Sequence, residues 1–207
     1  MLTTVTAVQT YTALAGEIYA TPPLLGEVRL VTIDGPSGSG KSAFSRTLVD
    51  ALSRRGSVAL VEIETLYEGW TLDGAGRRLD ELVLEPLAAG WPGGFHPYDW
   101  TASCWSSSWR VVPVSQVVVV EGCGSSARAH AAFISRQIWI EAPPDVALAR
   151  GLTRDGIDLD RRLREWQLHE AAHFAADGTR GRADLRVDGN PAEPLSYDPD
   201  LAFTALT

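Results

Sequence analysis

The residues able to do chemistry begin with Gly35-Pro36-Ser37-Gly38-Ser39-Gly40-Lys41-Ser42, which reads G-x-x-x-x-G-K-S. Glycines at this spacing let successive backbone N–H groups turn into one concavity, and such a concavity holds phosphate. Lys41 adds a point charge suited to the β- and γ-phosphates of ATP, the Ser42 hydroxyl can ligate Mg²⁺, and Ala43 carries the next amide. Lys41 is the only lysine in the chain; the other strongly basic side chains are all arginine. A second pattern is Val117-Val118-Val119-Val120-Glu121-Gly122, four β-branched residues and then a carboxylate. Behind a phosphate loop, that order places Glu121 on Mg²⁺ or its water. ATP and Mg²⁺ are the cofactors these residues call for.

A phosphate loop works only between a strand and a helix. Val28 to Ile33 is β-rich, and Ala43 to Arg55 carries Phe44, Leu48, Ala51 and Leu52 at helical spacing. Val58 to Ile63 is a nearly continuous apolar run, suited to a parallel sheet covered on both faces. It ends in Glu62 and Glu64, at the carboxyl end of a strand, where α/β ligands sit; Glu62 reads as a solvated strand-end charge. Arg77 to Ala89 is a predicted helix, which Pro86 should kink or end. Gly90 to Val112 holds Trp91, Tyr98, Trp100, Trp105 and Trp109, a long aromatic loop suited to walling a flat ligand. Gln137 to Glu141 is a fourth strand. Pro143 to Asp155 is a helix with Arg150 and Arg154 on one face. Arg161 to Ala176 is another helix, and Ala183 to Val187 the last strand. The fold class that follows is α/β, of the P-loop NTPase kind, with a mostly parallel five-stranded sheet and helices on both faces. Residues 27–190 form this domain. Residues 1–26 form an accessory helix, from the period of Val5, Val8, Tyr11, Leu14, Ala15 and Ile18. Residues 191–207 read as an irregular Pro-rich tail.

A chain of 207 residues suits one such domain. The net charge of −8 leaves no basic surplus for nucleic acid or an anionic membrane surface. No apolar run reaches 18 residues, so no membrane helix is expected, and the N-terminus lacks a signal-peptide pattern. Cys104 and Cys123 have no metal spacing and suggest reduced thiols in the cytoplasm. A homo-oligomer is compatible with all of this. One competing motif is His169-Glu170-Ala171-Ala172-His173, the H-E-x-x-H pattern of zinc proteases, with Glu170 as general base. A third ligand is short: only Glu193 or distant acids are on offer, beyond a strand and a proline. The plainer reading is a polar helix face with Leu168 and Phe174 turned inward.

The same residues resemble the uridine kinase family of P-loop nucleoside kinases. Ile33-Asp34-Gly35 through Ser42 matches the family's opening, and Glu121-Gly122 its acid-glycine after the third strand. Glu64-Thr65-Leu66-Tyr67 sits where the family has Asp-x-Phe-Tyr. Pro97-Tyr98-Asp99 is similar to its Pro-x-Tyr-Asp. Asp145 to Asp155 is similar to the helix leading into the lid. The resemblance implies ATP-dependent phosphorylation of a hydroxyl on a small acceptor, a uridine- or cytidine-like nucleoside or a related metabolite. It makes Glu64 the base for that hydroxyl and puts Arg150 and Arg154 on the transferring phosphoryl group. Tyr67, Trp70 and Tyr98 would wall the acceptor, Asp99 and Arg128 would touch it, and residues 155–164 would be a small lid. Glu64 stands for the family's Asp, the proline lies one residue closer to Tyr98, and Ser103 is near the place of a family His. The alternative is a P-loop regulator that binds ATP without transferring phosphate. A GTPase reading fails because its N-K-x-D motif needs a second lysine.

Replacing the single lysine tests the loop. Lys41→Ala is expected to abolish phosphotransfer and to weaken ATP binding sharply, measured by calorimetry. An unchanged ATP affinity would remove the phosphate-loop reading.

Overall fold

Strands that are apolar on both faces need cover on both sides, and the order of elements supplies it. The computed structural model describes residues 6–192 and 194–206. The chain runs β1 (Thr6–Thr10), α1 (Tyr11–Ala20), β2 (Arg29–Asp34), α2 (Lys41–Ser53) and β3 (Val58–Glu62). Then come α3 (Ala75–Leu79), α4 (Glu85–Ala88), β4 (Gly93–Phe95), β5 (Tyr98–Asp99), β6 (Cys104–Trp105), β7 (Arg110–Val112) and β8 (Val117–Glu121). The last part holds β9 (Ile134–Glu141), α5 (Pro144–Asp155), α6 (Asp160–Asp177), α7 (Thr179–Arg182), β10 (Leu185–Asp188) and β11 (Ala202–Leu206).

Among the described residues the main sheet has seven strands, in the order β1-β11-β10-β9-β2-β8-β3. Strands β10, β9, β2, β8 and β3 are mutually parallel, which is the five-stranded sheet expected. Two antiparallel strands, β11 and β1, extend it and correct the expectation at both ends. The tail is not irregular throughout: Phe203 and Ala205 alternate into the core and satisfy the open edge of β10. The N-terminal segment is a strand followed by a helix. Tyr11, Leu14, Ala15 and Ile18 are its buried helical stripe, while Val8 sits exposed on β1 and Val5 lies outside the described residues.

On one face α1 and α2 pack Leu14, Ile18, Phe44, Leu48 and Leu52 over Val31, Ile33, Val117 and Val119. On the other, Leu79, Val83, Leu87, Trp166 and Phe174 cover Leu30, Val118 and Val120. Tyr11, Phe44 and Phe203 form a triangle of rings with centroids 5.1, 5.1 and 5.0 Å apart, tying the start of α1 and strand β11 to the helix that follows the phosphate loop.

The predicted helix over 77–89 exists with a fault in it. Residues Asp80–Leu84 form a π-turn between α3 and α4. Pro86 has no N–H to give and its ring would clash with the carbonyl one turn back, so the wider turn relieves it. The aromatic stretch is not a bare loop: β4 pairs with β7, and β5 with β6. The stretch expected to be a lid is mostly helical. Of the residues expected to form it, Asp155 ends α5, Gly156 and one 3-10 turn, Ile157–Leu159, lie between the helices, and residues 160–164 already belong to α6.

Phe203→Ala should lower the unfolding free energy by about 3–5 kcal/mol, the range for truncating a buried ring, in denaturant titrations. A loss under about 1 kcal/mol would mean that β11 does not share the core.

Candidate active site

The site grows from the carboxyl ends of β2, β8 and β3. Register places Ile33 and Glu62 on either side of Glu121, and the chain leaves β2 through Asp34 directly into the loop. At Gly35 (φ 145°) a Cβ would stand 2.0 Å from the Ile140 carbonyl oxygen; at Gly38 (φ 78°) it would stand 2.1 Å from that of Ala147. Only glycine fits at either place. Gly40 begins α2, whose first turn has no side-chain cap and no acid. The amides of Lys41, Ser42 and Ala43 therefore face the loop as free first-turn donors with the positive end of the helix behind them. The Ser39 hydroxyl is fully buried and has no partner among the described residues. Loop amides, an orphaned hydroxyl and a helix N-terminus together suit a polyphosphate.

Lys41 is buried and its ammonium donates to the Pro36 carbonyl at 2.9 Å, so it is held along the loop. Ser42 Oγ donates to Glu121 Oε1 at 2.9 Å. Burial raises the Glu121 carboxyl above its ordinary value, Lys41 and the Ser42 hydroxyl oppose the rise, and Glu64 and Glu62 add to it. A hydroxyl and a buried carboxylate side by side form an oxygen donor set that fits Mg²⁺. The expected metal residues, Ser42 and Glu121, are thus brought together.

Glu64 is exposed on the 3-10 turn Ile63–Leu66 that follows β3. Its charge acts on both Glu121 and Arg154. Arg154 is exposed and bidentate to Asp155 at 2.7 Å, which holds its guanidinium pKa up, with Glu64 and Glu121 adding to that. Arg154 therefore lies within electrostatic reach of the Mg²⁺ donors and of Glu64, but its hydrogen bonds go to its neighbour. Arg150 donates to the carbonyls of Gly189 at 2.9 Å and Gly38 at 3.4 Å and to Asn190 Oδ1 at 2.9 Å. It buttresses the loop from outside. Glu62 pairs at 3.7 Å with Arg110, a strand-end surface charge as read from the sequence.

The expected acceptor residues divide. Tyr67, Trp70 and Tyr98 join one aromatic cluster with Trp100, Trp105 and Trp166. Trp70 lies 5.7 Å from Trp100 and 6.0 Å from Trp166, and Tyr98 lies 5.6 Å from Trp100. Trp100 Nε1 donates to the Glu64 carbonyl at 3.2 Å, joining the cluster to the site. Tyr67 is deeper than expected: it is buried, and its hydroxyl is spent on the Cys123 carbonyl. Asp99 does not face a ligand; it caps its own hairpin turn, accepting from the amides of Thr101 and Ala102 at 2.9 and 2.8 Å. Arg128 opens a 3-10 turn and binds Asp177 at the end of α6, through its amide and its guanidinium, both at 2.8 Å. Neither belongs to the cluster. A cavity of about 260 Å³ opens beside it, lined by Trp70, Arg162, Glu165, Trp166 and His169.

Two site residues have roles that the sequence reading did not give them. Asp34 is fully buried; Oδ1 accepts from the amides of Gly35 at 2.8 Å and Gly124 at 3.0 Å, and Oδ2 from Ser126 at 2.9 Å. The other is Glu170. Its carboxylate accepts from the Ser37 amide, at 3.1 and 2.9 Å from its two oxygens. The inward face of α6 is Leu163, Trp166, Glu170 and Phe174, while Leu168 is 72% exposed, which corrects the expectation for Leu168. An acid on an apolar stripe at helical spacing was the available signal. Glu170 is thus turned to the phosphate loop, not toward a zinc-bound water. Glu193 lies outside the described residues, and among those described no group of three or more His, Cys, Asp or Glu side chains could hold a metal ion.

A G-x-x-x-x-G-K-S loop at the central strand of a parallel sheet, with an acid on the adjacent strand, defines a P-loop fold. No protein-family model matches this sequence, and no curated protein matches it. Solved structures do. The chain is similar to a possible uridine kinase from Bacillus stearothermophilus at 18% identity and a TM-score of 0.62, over 85% of this chain and 96% of that one. It is also similar to a protein assigned as a fructose transport system kinase from Silicibacter sp. TM1040, at 20% identity and a TM-score of 0.57, over 82% and 95% of the two chains. At these identities the likeness is one of fold.

Asp34→Asn keeps the shape but turns an amide N–H toward a backbone donor. It should destabilise the chain by about 1–3 kcal/mol, the cost of a buried unsatisfied group, and weaken ATP binding. Unchanged melting and unchanged affinity would show that the carboxylate does not hold the loop.

Proposed function

We propose that this chain is an ATP-dependent kinase that phosphorylates a hydroxyl of a nucleoside, uridine- or cytidine-like, or of a related small hydroxylated metabolite. The observation that carries the reading is the grouping around one loop: free amide donors with Lys41, the Ser42–Glu121 pair, Glu64 and Arg154 in electrostatic reach, and an aromatic cavity alongside. The names of the two similar structures point the same way, since both are called kinases, one of uridine and one of a fructose transport system.

In this reading the loop amides and Lys41 bind the triphosphate, and Ser42 and Glu121 hold Mg²⁺. The metal, when bound, neutralises charge on the β- and γ-oxygens. Trp70 and Trp166 orient the acceptor ring in the 260 Å³ cavity. Glu64 accepts the proton of the acceptor hydroxyl. The acceptor oxygen forms its bond to the γ-phosphorus as the bond to the bridging oxygen breaks, and ADP leaves. Arg154 exchanges Asp155 for the transferring group, where its charge counts most in the transition state. Gly156, with a φ of 104° that side chains rarely adopt, is the hinge that would permit this.

A panel of nucleosides and small hydroxylated metabolites, assayed with Mg²⁺–ATP for a phosphorylated product, tests the reading. ATP binding with no product from any acceptor would favour a P-loop regulator. With an acceptor in hand, Glu64→Gln should leave ATP affinity intact and lower turnover about 10²–10⁴-fold, the range for a lost general base. Arg154→Ala should lower turnover far more than ATP affinity; equal losses would make it a plain ground-state ligand.

A further inference from the structure

Glu170 has no part in the phosphotransfer described above, yet it sits on the phosphate loop. It is 2% exposed, the most buried charged side chain of α6, and both of its oxygens lie within hydrogen-bond distance of the Ser37 amide. A carboxylate on that amide takes one of the loop's own backbone donors. Trp166, one turn earlier on the same buried face of the helix, helps to hold its pKa down. The charged and titratable groups that face it come from every element around: Lys41 of α2, Asp34 of β2, Tyr67 after β3 and Cys123 after β8. Lys41 is the one cation among them, and it is shared with Asp34 and Glu121.

We propose that Glu170 is a proton-dependent phosphate ligand: ionised on the empty loop, it takes up one proton when a nucleotide's phosphates arrive and then donates to them. The inference rests on the nucleotide-binding reading above. The chemistry is simple. An ionised carboxylate only accepts hydrogen bonds, so it repels a phosphate entering the same loop; a protonated one offers an O–H donor. The proton comes from solvent and goes to the Glu170 carboxylate. Burial has already pushed this group up to about 7, against the pull of the Ser37 amide, Lys41 and Trp166 and with a push from Asp34. Added phosphate charge pushes it further. A ligand that raises the pKa of an acid binds best where the acid is already protonated, so affinity falls as pH rises through 7.

Calorimetry with Mg²⁺–ADP on the full wild-type chain and on Glu170→Gln, at pH 6 and pH 8 in two buffers of different ionisation heat, tests this. Wild type should take up close to one proton per nucleotide at pH 8 and bind about tenfold more weakly there than at pH 6. Glu170→Gln should take up none, bind within about twofold at the two pH values, and match wild type at pH 6. Wild-type binding without proton uptake overturns the proposal by itself, even if the variant fails to fold. So does a variant that retains the pH dependence. No binding by either protein at either pH overturns the nucleotide reading and this proposal with it, an outcome distinct from the other two.

Discussion

The site depends on one buried carboxylate holding three backbone amides. Asp34 ends the central strand, and from there it binds the first amide of the phosphate loop and two amides, Gly124 and Ser126, of the segment leaving β8. Burial raises its pKa, and the amides of Ser126, Gly35 and Gly124, with Lys41, pull the other way. A charge so placed is tolerable only because donors surround it. In return it fixes the distance between the loop and the strand that carries Glu121. Ser126 continues the seam, its hydroxyl donating to Thr32 Oγ1 at 2.8 Å, so the exit of β8 is stitched to β2 at several points.

The electrostatics of the loop follow from that arrangement. Asp34, Glu121 and Glu170 all draw on Lys41, and burial raises all three. Three acids sharing one lysine leave a local excess of negative charge in a place built to hold phosphate. A divalent cation at the Ser42–Glu121 pair, or a proton, relieves that excess. Under the proposed function, this charge pattern would favour metal and nucleotide arriving together over nucleotide alone.

What the sequence made legible was local. A strand, a glycine-rich turn and a helix are neighbours in the chain, and the Val117–Val120 run shows its burial without reference to anything distant. The five parallel strands and the Ser42–Glu121 pair therefore stand where the pattern put them. What was hidden depended on partners far along the chain. Glu170 meets Ser37 from 133 residues away, and the H-E-x-x-H spacing around it suggested a different chemistry. Arg128 looked free for a ligand until Asp177 took it, and Asp99 until its own turn did. Strands β1 and β11 are short and weakly patterned, with β1 almost wholly exposed, so only their mutual pairing reveals them.

That pairing has a consequence for chain topology. Thr6 lies directly opposite Leu206, and Thr10 opposite Ala202. Joined end to end by a tight turn, β11 and β1 would be an ordinary hairpin, the sheet's most distant contact converted into one of its most local. The exposed tip between β5 and β6, where Ser103 takes a φ of 52°, offers a place to open the circle. A circular permutant cut there keeps every strand neighbour and leaves the phosphate loop untouched. It would fold with a lower contact order at the edge where the two strands farthest apart in sequence must meet.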